Sequence, residues 1–324
     1  MEFLITNIVI SVCIYLVIAT TLILINGEAK EMDNGEDDLK FDELAIDYSG
    51  MPALNSYECR DGSKLNFRYY PSSSEKVLIL LHGSGWHSQY FYTLAKHISS
   101  ENIAKVYTPD LRGHGSNPNK RGDIKYINQL EDDIADLIDL VNQNHPNANV
   151  ILGGHSSGGG LAIRFAGSKH SNLVNSYLLL TPFIKYNAPT MKSKSGGWAY
   201  AHMQRIAGLS MLNNVGITWF NHLPVIDFNM PKEYRDGTET LSYSFRLNTG
   251  YAPRNYKKDF AKMSNKALVA IGTADESFDS TKFMPEISKY KEDIEVVEIE
   301  GLTHMGIVMG NEIRDIIKTW IESL

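Results

Sequence analysis

The chain has 324 residues, of which 43% are apolar and 21% are charged, and its formal net charge at pH 7 is −7. This length suits one large α/β domain, and the apolar content excludes a mainly disordered chain. The acidic balance argues against a nucleic-acid-binding protein, because such proteins present a basic face or stripe. Two cysteines exclude a disulfide framework and a zinc site built from cysteines.

The amino-terminal segment is a continuous apolar run. Residues 3–25 carry no charged side chain and, as a helix, would extend about 35 Å, enough to cross a hydrocarbon core of about 30 Å. We therefore expect an uncleaved single-pass anchor over residues 1–26. A cleaved signal peptide is the alternative, because Gly27-Glu28-Ala29 resembles a cleavage site. The short tail before the run favours placing the rest of the chain outside the cytoplasm.

Most of the negative charge follows this run directly. Residues 28–47 contain nine acids and two lysines, a net charge of −7, so residues 48–324 are nearly neutral. Such a stretch is typical of a solvated linker, and we predict one over residues 27–47. The acidity therefore belongs to a spacer and says little about what the folded part binds.

Strand-like and helix-like segments alternate over residues 48–324, which predicts an α/β fold with a mainly parallel central sheet flanked by helices. Residues 48–70 predict an antiparallel edge hairpin with Asp61-Gly62 as its turn. Continuous apolar runs predict buried strands at Lys76–Leu81, Lys105–Tyr107, Val150–Leu152, Tyr177–Leu180, Ala267–Ile271 and Ile294–Ile299. Amphipathic patterns predict helices at Ile127–Asn144, Leu161–Lys169 and Ile313–Leu324.

The alternation stops between about residues 184 and 258. This region is rich in methionine, aromatic and turn residues, and its one clear helical pattern lies around Ala199–Leu212. Because it is inserted between two predicted core strands, we expect a helical cap over the sheet.

The strongest chemical signal is Gly154-His155-Ser156-Ser157-Gly158, which lies between a predicted strand and a predicted helix. A Gly-x-Ser-x-Gly sequence in this position is typical of a nucleophile elbow, a tight turn that raises a serine above the sheet. The glycines are needed because a Cβ atom at either flank would collide with neighbouring backbone. No Gly-Lys-Ser/Thr follows, which disfavours a nucleotide-binding loop. Ser156 is therefore the predicted nucleophile.

A serine hydroxyl needs a base to activate it, and the base needs an acid that orients it. Beyond the elbow and the cap, His304 is the only histidine, and it follows the last predicted strand. Asp275 lies in the loop after the preceding strand, with Glu276 and Asp279 as alternatives for the acid. The order Ser156, Asp275, His304 matches the chain order expected for this kind of catalytic triad.

A second signal is His82-Gly83-Ser84-Gly85, directly after the strand predicted at residues 76–81. A loop of this kind supplies one backbone N–H group of an oxyanion hole, and the residue after the nucleophile supplies the other. We predict that Ser84 and Ser157 form this pair. His82 is interpreted as structural because it precedes the loop. No metal constellation is visible in the sequence, and the predicted site requires neither metal nor cofactor.

Together with Asp110-Leu111-Arg112-Gly113-His114-Gly115, these motifs resemble the α/β-hydrolases in the expected order over about residues 50–324. The chain is most similar to the branch of monoacylglycerol lipases, lysophospholipases and serine aminopeptidase-like enzymes. The resemblance implies an α/β-hydrolase fold, a triad of Ser156, Asp275 and His304, and a cap that lines an acyl pocket. It also implies a serine ester hydrolase that forms an acyl-enzyme.

We therefore expect a membrane-anchored enzyme that cleaves lipid-type carboxylic esters, with a monoacylglycerol- or lysophospholipid-like substrate. A peptidase or amidase with the same triad is one alternative, and a hydrolase-fold binding protein with little turnover is another. The expected partners are the small lipid-like ester and the membrane around the amino-terminal segment. Neither nucleic acid nor an obligate protein partner is expected.

Overall fold

The computed structural model describes residues 1–25, 39–117, 120–193 and 197–324. The helices are α1 (Glu2–Leu24), α2 (Tyr92–Ser100), α3 (Gln129–Asn144), α4 (Ser157–Ala166), α5 (Met203–Asn214), α6 (Phe245–Tyr251), α7 (Tyr256–Lys262), α8 (Phe283–Ile287), α9 (Gly306–Met309) and α10 (Glu312–Glu322). The strands are β1 (Asn55–Glu58), β2 (Lys64–Tyr70), β3 (Lys76–Leu81), β4 (Lys105–Pro109), β5 (Asn149–His155), β6 (Ser176–Leu180), β7 (Ala199–Ala201), β8 (Pro224–Phe228), β9 (Ser242–Ser244), β10 (Lys266–Gly272) and β11 (Glu295–Ile299).

Eight strands form the central sheet in the order β1-β2-β4-β3-β5-β6-β10-β11. β1 and β2 form the predicted antiparallel hairpin at one edge, and β2 also pairs antiparallel with β4. All other neighbours in this sheet pair in parallel. The expected α/β architecture is confirmed, and all six predicted strands are present. β5 extends beyond its apolar run to His155, because its two glycines continue the pairing with β3 and β6.

Helices pack on both faces of the sheet, and successive side chains of each strand point to opposite faces, so both sets of side chains are buried. On β3, Val77, Ile79 and Leu81 belong to the apolar layer that also contains α3 and α4 side chains. Leu78 and Leu80 belong to the opposite layer, which contains side chains of α2 and α10. This double burial explains why the strand sequence is continuously apolar.

The cap between β6 and β10 differs from the helical insertion that the sequence predicts. Within its described residues, β7, β8 and β9 form a three-stranded antiparallel sheet beside the helices. The helix expected at Ala199–Leu212 begins only at Met203, because Ala199–Ala201 pairs with β8. Pairing with a distant strand therefore overrides the local helical pattern.

The apolar amino-terminal segment forms the helix α1. With a mean hydropathy of 2.4, it is the one helix among the described residues that is long and apolar enough to cross a membrane. A signal sequence would meet the same criteria. Ala19 and Ile23 are its buried residues, and they pack against α5 of the cap. Gly208 on α5 permits the contact, because a Cβ atom there would lie 2.5 Å from the Ala19 carbonyl oxygen.

The linker predicted over residues 27–47 falls mostly on residues 26–38, which lie outside the described residues. Its carboxyl-terminal part differs from a solvated linker, because Phe41–Leu44 forms a 3-10 turn that packs on the folded domain. Leu39, Phe41 and Leu44 are buried, whereas Asp42 between them is exposed. Burial of three apolar side chains thus holds this part of an otherwise acidic stretch against the domain.

A buried ion pair ties α4 to α3 and to the cap. Arg164 donates from Nε to Glu131 Oε2 at 2.8 Å, and each side chain is about 2% exposed. Arg164 Nη1 also donates to the carbonyl oxygens of Thr249 and Ala252, at 3.1 and 3.0 Å. The guanidinium therefore joins the helix after the predicted elbow to the cap segment around α6.

Replacing this arginine by Arg164→Ala should lower the free energy of unfolding by about 3–5 kcal/mol, because the Glu131 carboxylate loses a buried partner. Because Arg254 stays bonded to Glu131 in this variant, the loss of unfolding free energy should lie toward the lower end of this range. Urea denaturation of the full chain in detergent measures the change. The control Lys125→Ala breaks an exposed ion pair with Asp61 and should cost less than about 1 kcal/mol. Equal losses in the two variants would contradict this account.

Candidate active site

The turn between β5 and α4 places Ser156 in a strained backbone conformation, with φ 53° and ψ −120°. Such a conformation costs about 1–3 kcal/mol and persists only where the surroundings enforce it. Here the Ser156 N–H donates to the Leu180 carbonyl at 3.0 Å, and its own carbonyl accepts from the Phe183 N–H at 2.8 Å. The predicted strand–turn–helix arrangement is thus present, and the role of Ser156 as nucleophile stays a prediction.

Asp275 and His304 meet beyond the ends of β10 and β11. His304 Nδ1 lies 2.9 Å from Asp275 Oδ2, and both side chains are buried. The other oxygen, Asp275 Oδ1, accepts from the N–H groups of Ser277 and Phe278 at 2.8 and 2.9 Å. The Thr181 hydroxyl donates to Asp275 Oδ2 at 3.0 Å.

These contacts keep the aspartate ionised. Burial raises the pKa of Asp275, but the attraction of His304 and the hydrogen bonds outweigh it, so the pKa lies below the usual 3.8. A buried carboxylate that accepts from Nδ1–H of an imidazole orients the ring and leaves Nε2 free to take up a proton.

The two alternative acids have other partners. Glu276 Oε2 accepts from the backbone N–H of His304 at 2.9 Å. Asp279 Oδ1 accepts from the Thr281 N–H at 3.1 Å and caps a 3-10 turn. The structure therefore brings Asp275, rather than either alternative, to the imidazole.

Ser156 and His304 line the same cavity, and Ser84 from the loop after β3 lines it as well. Two tyrosine hydroxyls hold this loop on either side of Ser84. The Gly83 N–H donates to Tyr90 at 2.5 Å, and the Gly85 N–H donates to Tyr243 at 2.9 Å. The Ser84 N–H between them has no acceptor within the part of the chain that the structure describes.

Ser157, the other predicted oxyanion residue, is the first residue of α4. The first N–H groups of a helix lack acceptors within the helix, and the helix dipole favours negative charge beside them. The Ser84 hydroxyl donates to the Ser157 hydroxyl at 2.8 Å, so the two residues are adjacent. Their shared role as an oxyanion hole stays a prediction.

A hydrogen-bonded chain connects the loop, the elbow and the histidine. The Tyr90 hydroxyl accepts from Gly83 and lies 3.1 Å from His155 Nδ1, while His155 Nε2 lies 2.9 Å from the His304 carbonyl oxygen. The sequence motifs assign no role to His155 and do not single out Tyr90. No local motif connects these residues, which are 65 and 149 positions apart along the chain.

One group among the described residues, Cys59 with Asp133 and Asp136, brings three potential metal-ligand atoms together. Arg112 donates to both carboxylate oxygens of Asp133, at 2.7 and 2.8 Å. Arg60 likewise donates to Asp136, at 2.7 and 3.0 Å. Because arginines already balance these carboxylates, we interpret the group as an ion-pair network.

The parallel sheet, the elbow that carries Ser156 and the buried Asp275–His304 pair are the features of an α/β-hydrolase. A family model described as serine aminopeptidase, S33, matches residues 72–308. The chain therefore belongs to this family of α/β-hydrolases, which confirms the expected fold and branch.

Curated relatives match part of the chain. Human monoglyceride lipase is 29% identical over 145 residues, which cover 44% of this chain and 46% of the lipase. A probable protein phosphatase methylesterase 1 from Caenorhabditis elegans is 30% identical over 215 residues, covering 64% of this chain and 57% of the relative. The chain thus spans about half the length of the curated relatives it matches. The family and these relatives support the expected class, a serine ester hydrolase.

Solved structures share the fold over most of the chain. A soluble variant of monoglyceride lipase from Saccharomyces cerevisiae is similar with a TM-score of 0.65 and 18% identity, covering 86% of this chain and 98% of that one. An esterase from Thermogutta terrifontis has a TM-score of 0.57 and 17% identity, covering 84% of this chain and 98% of the esterase. At these identities the likeness establishes the fold alone.

His82, in its neutral form, holds the loop after β3 through hydrogen bonds. Its Nε2 accepts from the Leu111 N–H at 3.0 Å, so Nδ1 carries the proton and donates to the Gly83 carbonyl at 2.8 Å. Burial lowers the pKa of His82 to about 4 and that of His155 to about 3. Charging either ring in the folded state would therefore require breaking buried contacts.

Stability should accordingly fall as the pH is lowered from about 7 to 4. Unfolded histidine has a pKa of about 6.5, so in this window the unfolded state binds more protons than the folded state. One pKa unit corresponds to about 1.4 kcal/mol, so the shift of His82 alone lowers the free energy of unfolding by up to about 3 kcal/mol at pH 4. Denaturation at several pH values measures how steeply the free energy of unfolding changes with pH. His82→Gln should make this dependence weaker, whereas the control His222→Gln, at an exposed site, should leave it unchanged. A wild-type slope in His82→Gln would contradict the argument.

Proposed function

We propose that this chain is a serine hydrolase that cleaves lipid-type carboxylic esters through an acyl-enzyme on Ser156. The observation that carries the proposal is the buried Asp275–His304 pair, whose histidine lines the cavity that also contains Ser156. Trp86 and Trp198 line the same cavity and favour an apolar acyl group. The similarity to monoglyceride lipases supports a fatty acyl ester as the substrate class.

In the proposed reaction, Ser156 Oγ attacks the ester carbonyl carbon while His304 Nε2 takes the hydroxyl proton. Asp275 accepts from Nδ1–H and stabilises the imidazolium that forms. The N–H groups of Ser84 and Ser157 donate to the oxyanion. His304 then gives the proton to the departing alcohol, and water activated by the same imidazole attacks the acyl-enzyme, which releases the acid and restores the Ser156 hydroxyl.

The proposal includes an anchor at a membrane, formed by α1. Most side chains of this helix are exposed, whereas Ala19 and Ile23 pack on the cap helix α5. The Tyr15 hydroxyl also donates to the Met211 carbonyl at 2.8 Å, so the helix lies directly beside the cap. An anchor in this position would keep the enzyme next to lipid.

Ser156→Ala should lower kcat/KM for p-nitrophenyl esters by at least about 10⁴-fold, because no acyl-enzyme forms. Asp275→Asn should lower it by about 10²–10⁴-fold, because the amide favours the wrong imidazole tautomer. Asp279→Asn is the matched control and should retain activity close to wild type. Steady-state kinetics with circular dichroism as a fold check measure all three. Full activity in Ser156→Ala, or an equal loss in Asp279→Asn, would show that the triad is misassigned.

The substrate class is tested on the full chain in detergent with four panels: p-nitrophenyl esters, monoacylglycerols, lysophospholipids and aminoacyl amides. We expect turnover of the acyl esters, with the amides at least about tenfold slower. Hydrolysis confined to the amides would make the chain a peptidase or amidase with the same triad. No turnover, together with no labelling of Ser156 by a fluorophosphonate, would indicate a binding protein.

A further inference from the structure

Part of the wall around Ser156 comes from the segment that precedes the hydrolase domain. Leu39, Phe41 and Leu44 are 7%, 4% and 1% exposed, and all three line the cavity that contains Ser156 and His304. Apolar side chains from a segment that precedes the first strand thus lie where the proposed reaction needs an acyl chain.

The segment is attached on two sides of the cavity. The Glu43 carboxylate accepts from the Thr303 hydroxyl at 2.6 Å, directly before His304 in the chain. The Phe41 ring centroid lies 5.1 Å from that of Trp198 and 6.0 Å from that of Tyr234, both in the cap. The segment therefore connects the histidine loop to the cap across the opening above Ser156.

With the segment in place, the cavity has a volume of only about 20 Å³. One water molecule needs about 10–15 Å³ on this measure, and sites for small organic ligands commonly measure about 300–1,000 Å³. The space beside Ser156 therefore accommodates water but no acyl chain. An ester can reach the serine only after part of this wall has moved.

We propose that Leu39, Phe41 and Leu44 occupy the acyl-binding site, and that the fatty acyl chain of the substrate takes their place when the segment moves aside. This inference rests on the proposed function, because the site is defined by its position beside Ser156. The contacts that hold the segment include the hydrogen bond from Thr303 to Glu43 and apolar contacts of the kind that an acyl chain can replace. Substrate then binds only the fraction of molecules whose segment is displaced, and the apparent affinity equals the intrinsic affinity multiplied by that fraction.

The test compares the wild type with Phe41→Ala, Glu43→Ala and Asp47→Ala, each as the full chain in detergent. Phe41→Ala removes a side chain from the proposed acyl-binding site, and Glu43→Ala removes the hydrogen bond to Thr303. Asp47→Ala is the matched control, because it removes an exposed acid whose hydrogen bonds, among the described residues, go to nearby Ser49 alone. We measure the second-order rate of labelling of Ser156 by a fluorophosphonate and kcat/KM for p-nitrophenyl acetate and decanoate.

In Phe41→Ala and Glu43→Ala, the fluorophosphonate should label Ser156 at least about tenfold faster than in the wild type, and kcat/KM for the decanoate should rise by a similar factor. Both quantities should stay within about twofold of the wild type in Asp47→Ala. Because the two variants act through different contacts, Glu43→Ala keeps the test valid if Phe41→Ala unfolds. Thermal melting by circular dichroism identifies any unfolded variant.

Two results would overturn the inference and leave the proposed function intact. The first is equal labelling rates in all four proteins, which would mean that the segment does not block Ser156. The second is a lower kcat/KM for the decanoate in Phe41→Ala with unchanged acetate hydrolysis, which would make the segment a permanent wall of the pocket. Absence of both labelling and hydrolysis in every protein would overturn the proposed function and this inference together.

Discussion

The close crossing of β3 and the turn between β5 and α4 is the contact on which the rest of the site depends. A Cβ atom on Gly158 would lie 2.0 Å from the Leu81 carbonyl oxygen, and one on Gly154 would lie 2.3 Å from the Gly158 carbonyl. Only glycine lets the helix begin this near to the strand. The crossing forces Ser156 to φ 53° and sets the start of α4 beside the loop after β3.

Around this crossing, several buried polar groups are connected by hydrogen bonds. Tyr90 joins the loop to His155, which bonds to the His304 backbone, and Asp275 bonds to the His304 ring. In a low-dielectric interior such a network stabilises one arrangement strongly, because breaking any member leaves another polar group unpaired. The geometry needed for the proposed chemistry is therefore held by residues that need not contact the substrate.

The acidic stretch before the domain has two physical characters. Its charge accounts for the net charge of the whole chain, yet the three apolar side chains at its end lie against the site. Apolar burial dominates there because Asp42 can stay in water while Leu39, Phe41 and Leu44 leave it. A segment that composition alone assigns to a solvated spacer is thus also part of the cavity beside Ser156.

The sequence by itself determined the six parallel strands, the edge hairpin and the position of the elbow. Buried strands and tight glycine turns produce patterns in consecutive residues, so a short stretch of sequence is enough to predict them. It predicted Asp275 as the acid with Glu276 and Asp279 as alternatives, and only the tertiary structure brought Asp275 to His304. Tertiary contacts also decided the sheet in the cap, the tyrosine that connects the loop to the elbow, and the segment over Ser156. Each of these depends on residues far apart in the chain, whose contacts follow from the packing of the whole domain and from no local pattern.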